Sequence, residues 1–277
     1  MIQDRKDREL ENKTLRVLSL GAGVQSSTVA LMIHHKELPM VDCAIFADTK
    51  NEPDYVYDWL EYLKGIVSYP IHIVTRGDLK EDMLSNKYSF LPIPLYTINK
   101  KTGKKGFTMR QCTNDYKIQP IYQKIRELLG LKKYQRVPKD AKVEMVIGIS
   151  RDEMVRCKES RLPYITNHYP LVFDKRFNRS DCMQWMKKHG YELPRKSACT
   201  FCPFHSNDFW LDIKNNDPKM WKEVVDLDRT LRNATRKPED EVLLHKSYVP
   251  LEEADLDPYK DQLDMFNDIC DEGMCGV

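Results

Sequence analysis

The sequence predicts an α/β fold: a doubly wound, mostly parallel sheet followed by a helical, cysteine-bearing C-terminal region. Three observations carry this. Short apolar runs alternate with helical periodicity from residue 15 to about residue 149. Each run ends in a cluster of small or polar residues. After Tyr169-Pro170-Leu171-Val172 the pattern turns helical on both sides of Cys199-Thr200-Phe201-Cys202. Strand and helix in alternation build parallel sheets. Polar residues at the carboxyl ends of such strands are where open α/β sheets bind ligands.

The first run, Arg16 to Leu20, enters Gly21-Ala22-Gly23-Val24-Gln25-Ser26-Ser27-Thr28 and then a helix predicted to reach about Lys36. Small residues permit a tight bend and close approach of a ligand to the backbone. A helix N-terminus brings donors and about half a positive charge, which suits an anion such as phosphate. No Lys completes a Walker A pattern, and the third Gly of the dinucleotide fingerprint is missing. An ordinary strand-to-helix connection has the same local pattern.

The second run, Val41 to Ala47, ends in Asp48-Thr49-Lys50-Asn51-Glu52-Pro53. Pro53 suits a first helical turn. Residues 54–66 form an amphipathic helix whose Tyr55, Tyr57, Trp59 and Tyr62 read as core packing rather than base stacking. Ile71 to Val74 is a third strand. Residues 85–111 break the rhythm and read as a lid-like insertion with a basic tip, Lys100-Lys101-Thr102-Gly103-Lys104-Lys105. That tip suits phosphates, or is a solvated hairpin. A helix follows with Ile121, Ile125, Leu128 and Leu129 in phase, and Gly130 ends it. Val143 to Ile149 is the fourth strand and runs into Ser150-Arg151-Asp152-Glu153. Helical periodicity resumes over 180–189 and 206–233.

These features divide the chain into a charged leader (1–14), an α/β domain (15–175), a helical region with CxxC (176–250) and an acidic tail (251–277). With 44 Lys and Arg against 42 Asp and Glu, the net charge of +2 supplies no global field for nucleic acid, so any basic surface is local. No apolar run has the length of a membrane span, and the charged start lacks an apolar signal core. The expected location is the cytoplasm, with no membrane partner. Eight cysteines in a reducing compartment call for metal or redox chemistry rather than disulfides. Cys43 and Cys157 are expected to be packed. The histidines His34, His35, His72, His168 and His245 are expected to be structural or exposed.

In this order the motifs resemble the phosphoadenosine phosphosulfate (PAPS) reductase family of the PP-loop superfamily of ATP pyrophosphatases and adenine nucleotide alpha hydrolases. Gly21 to Ser26 resembles the family's Ser-Gly-Gly-x-Asp-Ser loop, and Phe46-Ala47-Asp48-Thr49 its Asp-Thr-Gly motif. Cys112 to Ile121 resembles the Cys-Cys-x-x-Arg-Lys-x-x-Pro-Leu stretch of iron–sulfur members. Gly148 to Glu153 is similar to the Gly-x-Arg-x-x-Glu segment. Tyr169-Pro170-Leu171 with Cys199 and Cys202 is similar to the final pair of motifs. Gln25, Thr113, Ser150 and Lys50 stand where the family has Asp, Cys, Arg and Gly.

The resemblance implies a five-stranded, adenine nucleotide alpha hydrolase-like sheet. It implies ATP, or PAPS or its unphosphorylated counterpart APS, on Ser19, Gly21, Ala22, Gly23, Gln25, Ser26, Ser27, Asp48, Thr49, Gly148 and Arg156, with Mg²⁺. Lys117 and Arg151 are the candidate catalytic cations, with surface ion pairs as the alternative. Cys112, Cys199 and Cys202 are the candidate ligands of a 4Fe-4S cluster with one open iron. Zinc with His205 or Cys182 as fourth ligand is the alternative. The implied activity is adenylation of a substrate with pyrophosphate release, then sulfur transfer from a sulfur donor to a nucleobase or nucleic acid. Two other readings stay open: a sulfonucleotide reductase using tail Cys275 or Cys270 and a thioredoxin-like reductant, and a non-enzymatic nucleotide sensor with a zinc knuckle. Acids around Cys275 would raise its thiol pKa.

Overall fold

A computed structural model describes residues 14–85, 91–234 and 239–257. The leader up to residue 13, residues 86–90 of the insertion and the tail with Cys270 and Cys275 lie outside the described residues. Five strands, β1 (Leu15–Leu20), β2 (Cys43–Asp48), β3 (Ile71–Thr75), β6 (Val143–Ile147) and β7 (Ile165–His168), make one sheet in the order β3-β2-β1-β6-β7. Every neighbouring pair is parallel. The fifth strand, β7, was not marked by the hydrophobic pattern: Ile165-Thr166-Asn167-His168 is an edge strand with one apolar residue.

Because both faces of a parallel sheet are covered, its central strands alternate between two cores rather than between core and water. Leu18, Leu20, Ala44 and Phe46 join one core; Val17, Cys43, Ile45 and Ala47 join the other. Helices α1 (Val24–His34) and α2 (Asp54–Ile66) cover the first face. Helix α1 is buried on nearly all sides because α6 (Arg179–Lys188) packs on its outer side through Cys182, Trp185 and Met186. Of the α2 aromatics, Tyr55 and Trp59 pack against this core and Tyr62 is exposed. Helix α4 (Gln119–Leu128) covers the other face with Ile121 and Ile125.

A third core lies beside the sheet. It gathers α3 (Leu79–Leu84), α7 (Asn207–Asn216) and α8 (Pro218–Leu231) around Trp210, Phe201 and Tyr116. The continuous helical pattern over 206–233 is two helices, because Asp217 caps α8 through Met220 N and Pro218 cannot continue α7. The insertion is not a free flap. It holds the hairpin of β4 (Tyr96–Asn99) and β5 (Lys105–Phe107), and β4 pairs with β8 (Asp240–Leu243) in an antiparallel sheet. So a region read as helical contributes a strand, and that strand fixes the hairpin to the C-terminal core. The short α5 (Pro170–Phe173) joins β7 to α6. No helix among the described residues is long and apolar enough to cross a membrane.

Candidate site at the carboxyl ends of the central strands

The chain builds β1, β2 and β3 in one direction, then returns to lay β6 and β7 on the other side of β1. The order therefore reverses between β1 and β6. At that reversal, connections from neighbouring strands diverge and leave a crevice.

The turn after β1 occupies it. Ala22 takes a left-handed φ of 58°, a conformation costly for a residue with a Cβ. Gly23 is the N-cap of α1, extended, with no side-chain cap and no acidic residue in the first turn. Ser26 Oγ accepts from Gly21 N at 3.2 Å and donates to Gly23 O at 3.2 Å, bracing the bend. Gly148, just past β6, lies against the same turn: a Cβ there would sit 2.6 Å from Ser26 Cα and 2.7 Å from Ser26 N. The helix starts one turn earlier than Ser27. Consequently Ser27 N bonds Gly23 O, and its buried hydroxyl accepts from Trp59 Nε1 at 2.8 Å. Ser27 is thus buried, with both its N–H and its hydroxyl engaged inside the fold. Ser19 is an interior residue of β1, 4 % exposed.

Gln25 is also turned inward. Its Nε2 donates to Glu153 Oε2 (3.2 Å) and Ser150 Oγ (3.4 Å), and its Oε1 accepts from Arg179 (3.3 Å). These contacts tie the β1 turn to the β6 turn. Arg156, expected at the nucleotide, pairs with Glu153 at 2.5 Å. The other expected cation, Arg151, is exposed.

The segment after β2 reaches the other way. Asp48 accepts from Lys50 N (2.7 Å) and Tyr57 OH (2.9 Å). Burial, then that hydrogen bond to Asp48, raises the Tyr57 phenol pKa. Thr49 and Lys117 line a small cavity with Cys112, Cys199, Cys202 and Arg110. Thr49 Oγ1 is 3.1 Å from Cys199 Sγ. Lys117 is buried and pairs with Glu52 at 3.1 Å, and Glu52 also accepts from Ser197 Oγ at 3.4 Å.

Backbone bonds place the thiols. Gln111 N and Cys112 N both donate to Pro92 O, at the head of a π-helical turn (Thr113–Ile118) that delivers Lys117. Thr200 N donates to Asn51 O at 2.8 Å, so the CxxC turn is docked on the β2 connection. Cysteines 87 residues apart in sequence thereby face one space. Sequence reasoning missed Glu52, Arg110 and Phe204 here. Glu52 lay inside a polar cluster already noted, whereas nothing in the local pattern marks Arg110 or Phe204.

Among the described residues no group of His, Cys, Asp or Glu is drawn together to hold a metal ion. A zinc site needs its sulfurs about 2.3 Å from one point. A multi-iron cluster bonds each cysteine to a different iron, so its ligands need only surround a shared space. Cys112, Cys199 and Cys202 line one shared cavity. The fourth zinc ligands named above do not fit. Cys182 is buried in the α1–α6 core beside Thr28. His205 does not line the cavity, and its Nε2 is 2.8 Å from Cys199 O.

Burial, aided by Asp42, pushes the Cys43 thiol up to about 11, and burial pushes Cys182 up to about 12. Against an ordinary thiol near 9, the Cys182 thiolate fraction at pH 8 is lower by about a thousandfold. Both are expected to survive iodoacetamide treatment of the folded protein at pH 8 and to react once it is unfolded. Peptide mapping by mass spectrometry checks this; rapid labelling of either in the native state would contradict the packing described.

No protein-family model matches the sequence, and no curated protein matches it. Among solved structures, the phosphoadenylyl-sulfate (PAPS) reductase of Candida auris, in its phosphate complex, is similar at 12 % identity. The match covers 68 % of this chain and 82 % of that one, with a TM-score of 0.44.

Proposed function

We propose that the chain is a PP-loop enzyme of the PAPS reductase-like group that binds MgATP, or a related adenylyl nucleotide, at the turn between β1 and α1. In this reading it adenylates an acceptor and directs sulfur to it, the acceptor being a nucleobase or nucleic acid. The observation that carries the reading is the cavity where Cys112, Cys199 and Cys202 meet Lys117 and Thr49, the first residue past β2.

The nucleotide's phosphates lie against Gly21, Ala22, Gly23 and the N-terminal N–H groups of α1, a turn held in place by the close packing of Gly148 on Ser26. An acceptor oxygen attacks the alpha phosphorus, the bond to the bridging oxygen of the β-phosphate breaks, and pyrophosphate leaves. Donors fixed at the helix end stabilise the charge that builds on the phosphoryl oxygens. The buried Lys117 brings positive charge to the cavity, and Arg151 stands exposed after β6 where departing phosphate would pass. Cys112, Cys199 and Cys202 would hold a 4Fe-4S cluster, which when bound supplies an iron without a protein ligand for sulfur chemistry. Thr49 orients the Cys199 sulfur by its hydrogen bond.

Anaerobic purification tests this. The expected product is brown, with about four irons and four sulfides per chain. Each of C112S, C199S and C202S is expected to lose most of that iron, and wild type to release pyrophosphate from ATP only with an acceptor present. A colourless zinc protein without pyrophosphate release would overturn the reading. Sulfite release from PAPS, lost in C275S, would favour the sulfonucleotide reductase instead.

A further inference from the structure

Lys100, Lys101, Lys104 and Lys105 are all exposed at the tip of the β4–β5 hairpin, in a chain whose net charge is only +2. Behind the tip runs a continuous row of rings. Lys105 Nζ stands 4.5 Å from the Tyr248 ring centre, and Tyr248 meets Tyr96 at 5.4 Å. Tyr96 meets Phe107 at 5.0 Å, and Phe107 meets Phe204 at 5.6 Å. Arg110 lies over Phe204 at 5.5 Å, and both line the cysteine cavity. Phe107 and Met109 are 47 % and 71 % exposed, so the hairpin leaves large apolar side chains in water. Of the nearby acids, Asp240 and Glu241 lie on β8, across β4 from β5, and are engaged: Asp240 accepts from Asn99 Nδ2, and Glu241 faces Arg232 at 3.7 Å, while Glu239 adjoins the tip by accepting from Lys100 N through its backbone carbonyl.

We propose that this hairpin and its ring row bind a single-stranded nucleic acid and lead it to the cysteine cavity. Phosphates sit on Lys101, Lys104 and Lys105, and an unpaired base stacks on Phe107. Lysines alone would suit any polyanion. Interleaved exposed rings suit bases, whose flat faces a duplex keeps stacked inside. Pro94, Arg110 and Phe204 line the cavity at the end of the ring row, and a base can approach it only when it has left a helix.

The proposal rests on the reading that the acceptor is a nucleic acid, yet the two can fail separately. The experiment is fluorescence anisotropy with a labelled 20-nucleotide single strand and its duplex, from 50 to 200 mM salt. Wild type is expected to prefer the single strand. K101A/K104A is expected to bind about tenfold or more weaker near 100 mM, with a salt slope shallower by about 1.4. F107A is expected to bind about fivefold or more weaker with an unchanged slope. All these residues are exposed, so circular dichroism should match wild type. Preference for the duplex, wild-type affinity in both variants, or equal displacement by polyglutamate at matched charge would overturn the proposal. Unchanged ATP-analogue binding and acceptor-dependent pyrophosphate release alongside such a result would leave the catalytic reading standing. Hairpin-dependent binding without ATP cleavage would sink that reading alone.

Discussion

Replacing Gly148 by alanine is expected to destabilise the fold by about 1–3 kcal/mol and to abolish nucleotide binding. The added methyl would meet Ser26 Cα at 2.6 Å, Ser26 N at 2.7 Å and the Gln25 carbonyl carbon at 3.1 Å. All three are backbone atoms in the first turn of α1, so no side chain can swing aside. Relief requires α1 to slide away from β6. That motion would pull Gln25 from Glu153, Ser150 and Arg179, the contacts that lock the two turns together. Gly23 is the internal control. A Cβ there meets nothing within 4 Å, and its φ of −89° is open to any residue. G23A should therefore melt within a degree or two of wild type, yet lose affinity if phosphate approaches the N-cap closely. Urea midpoints and titration with a non-hydrolysable ATP analogue separate these effects. Equal stability of G148A and wild type would show that the two turns are not in contact as described.

That contrast also marks what could be read without coordinates. The apolar runs over Arg16–Leu20, Val41–Ala47 and Val143–Ile149 are long enough to identify central strands by composition, and their alternation with helices implied a parallel sheet. A strand at a rim carries no such signature. Ile165–His168 has a single buried apolar residue, and Asp240–Leu243 is drawn into pairing by β4 rather than by its own pattern. The turn after β1 was visible as small residues, but the direction of each side chain was not. Gln25 and Ser27 look equivalent to Ser26 in the string, and only the helix phase turns them inward. The meeting of Cys112 with Cys199 and Cys202 came from a resemblance between motifs, since spacing alone says nothing about residues 87 positions apart. Glu52 was hidden for a related reason. Its role depends on Lys117, which reaches it from the π-helical turn on the other side of the cavity.

This pair leads to the second large effect. Lys117 and Glu52 lie 3.1 Å apart with side chains 9 % and 0 % exposed. Removing one member of a buried pair leaves an uncompensated charge, at a cost of about 3–5 kcal/mol. K117M is expected to show that loss in urea denaturation, because the carboxylate then keeps Ser197 but not the ammonium. Removing both charges should restore much of it: in K117M/E52Q the amide oxygen still accepts from Ser197, and the methionine fills the volume of the lysine stem. A double-mutant cycle built from K117M, E52Q and the pair measures the coupling directly. The restored double variant then isolates the function of the charge. It keeps the fold, the three thiols and Arg110 but lacks the Lys117 charge at the cavity. If Lys117 serves only stability, K117M/E52Q should retain the iron content and acceptor-dependent pyrophosphate release of wild type. If it brings charge to the reacting groups, stability should return while turnover stays at least tenfold down, about 1.4 kcal/mol of lost transition-state stabilisation. A K117M single variant as stable as wild type would remove the premise, since a carboxylate with no exposed surface cannot lose its cation without consequence.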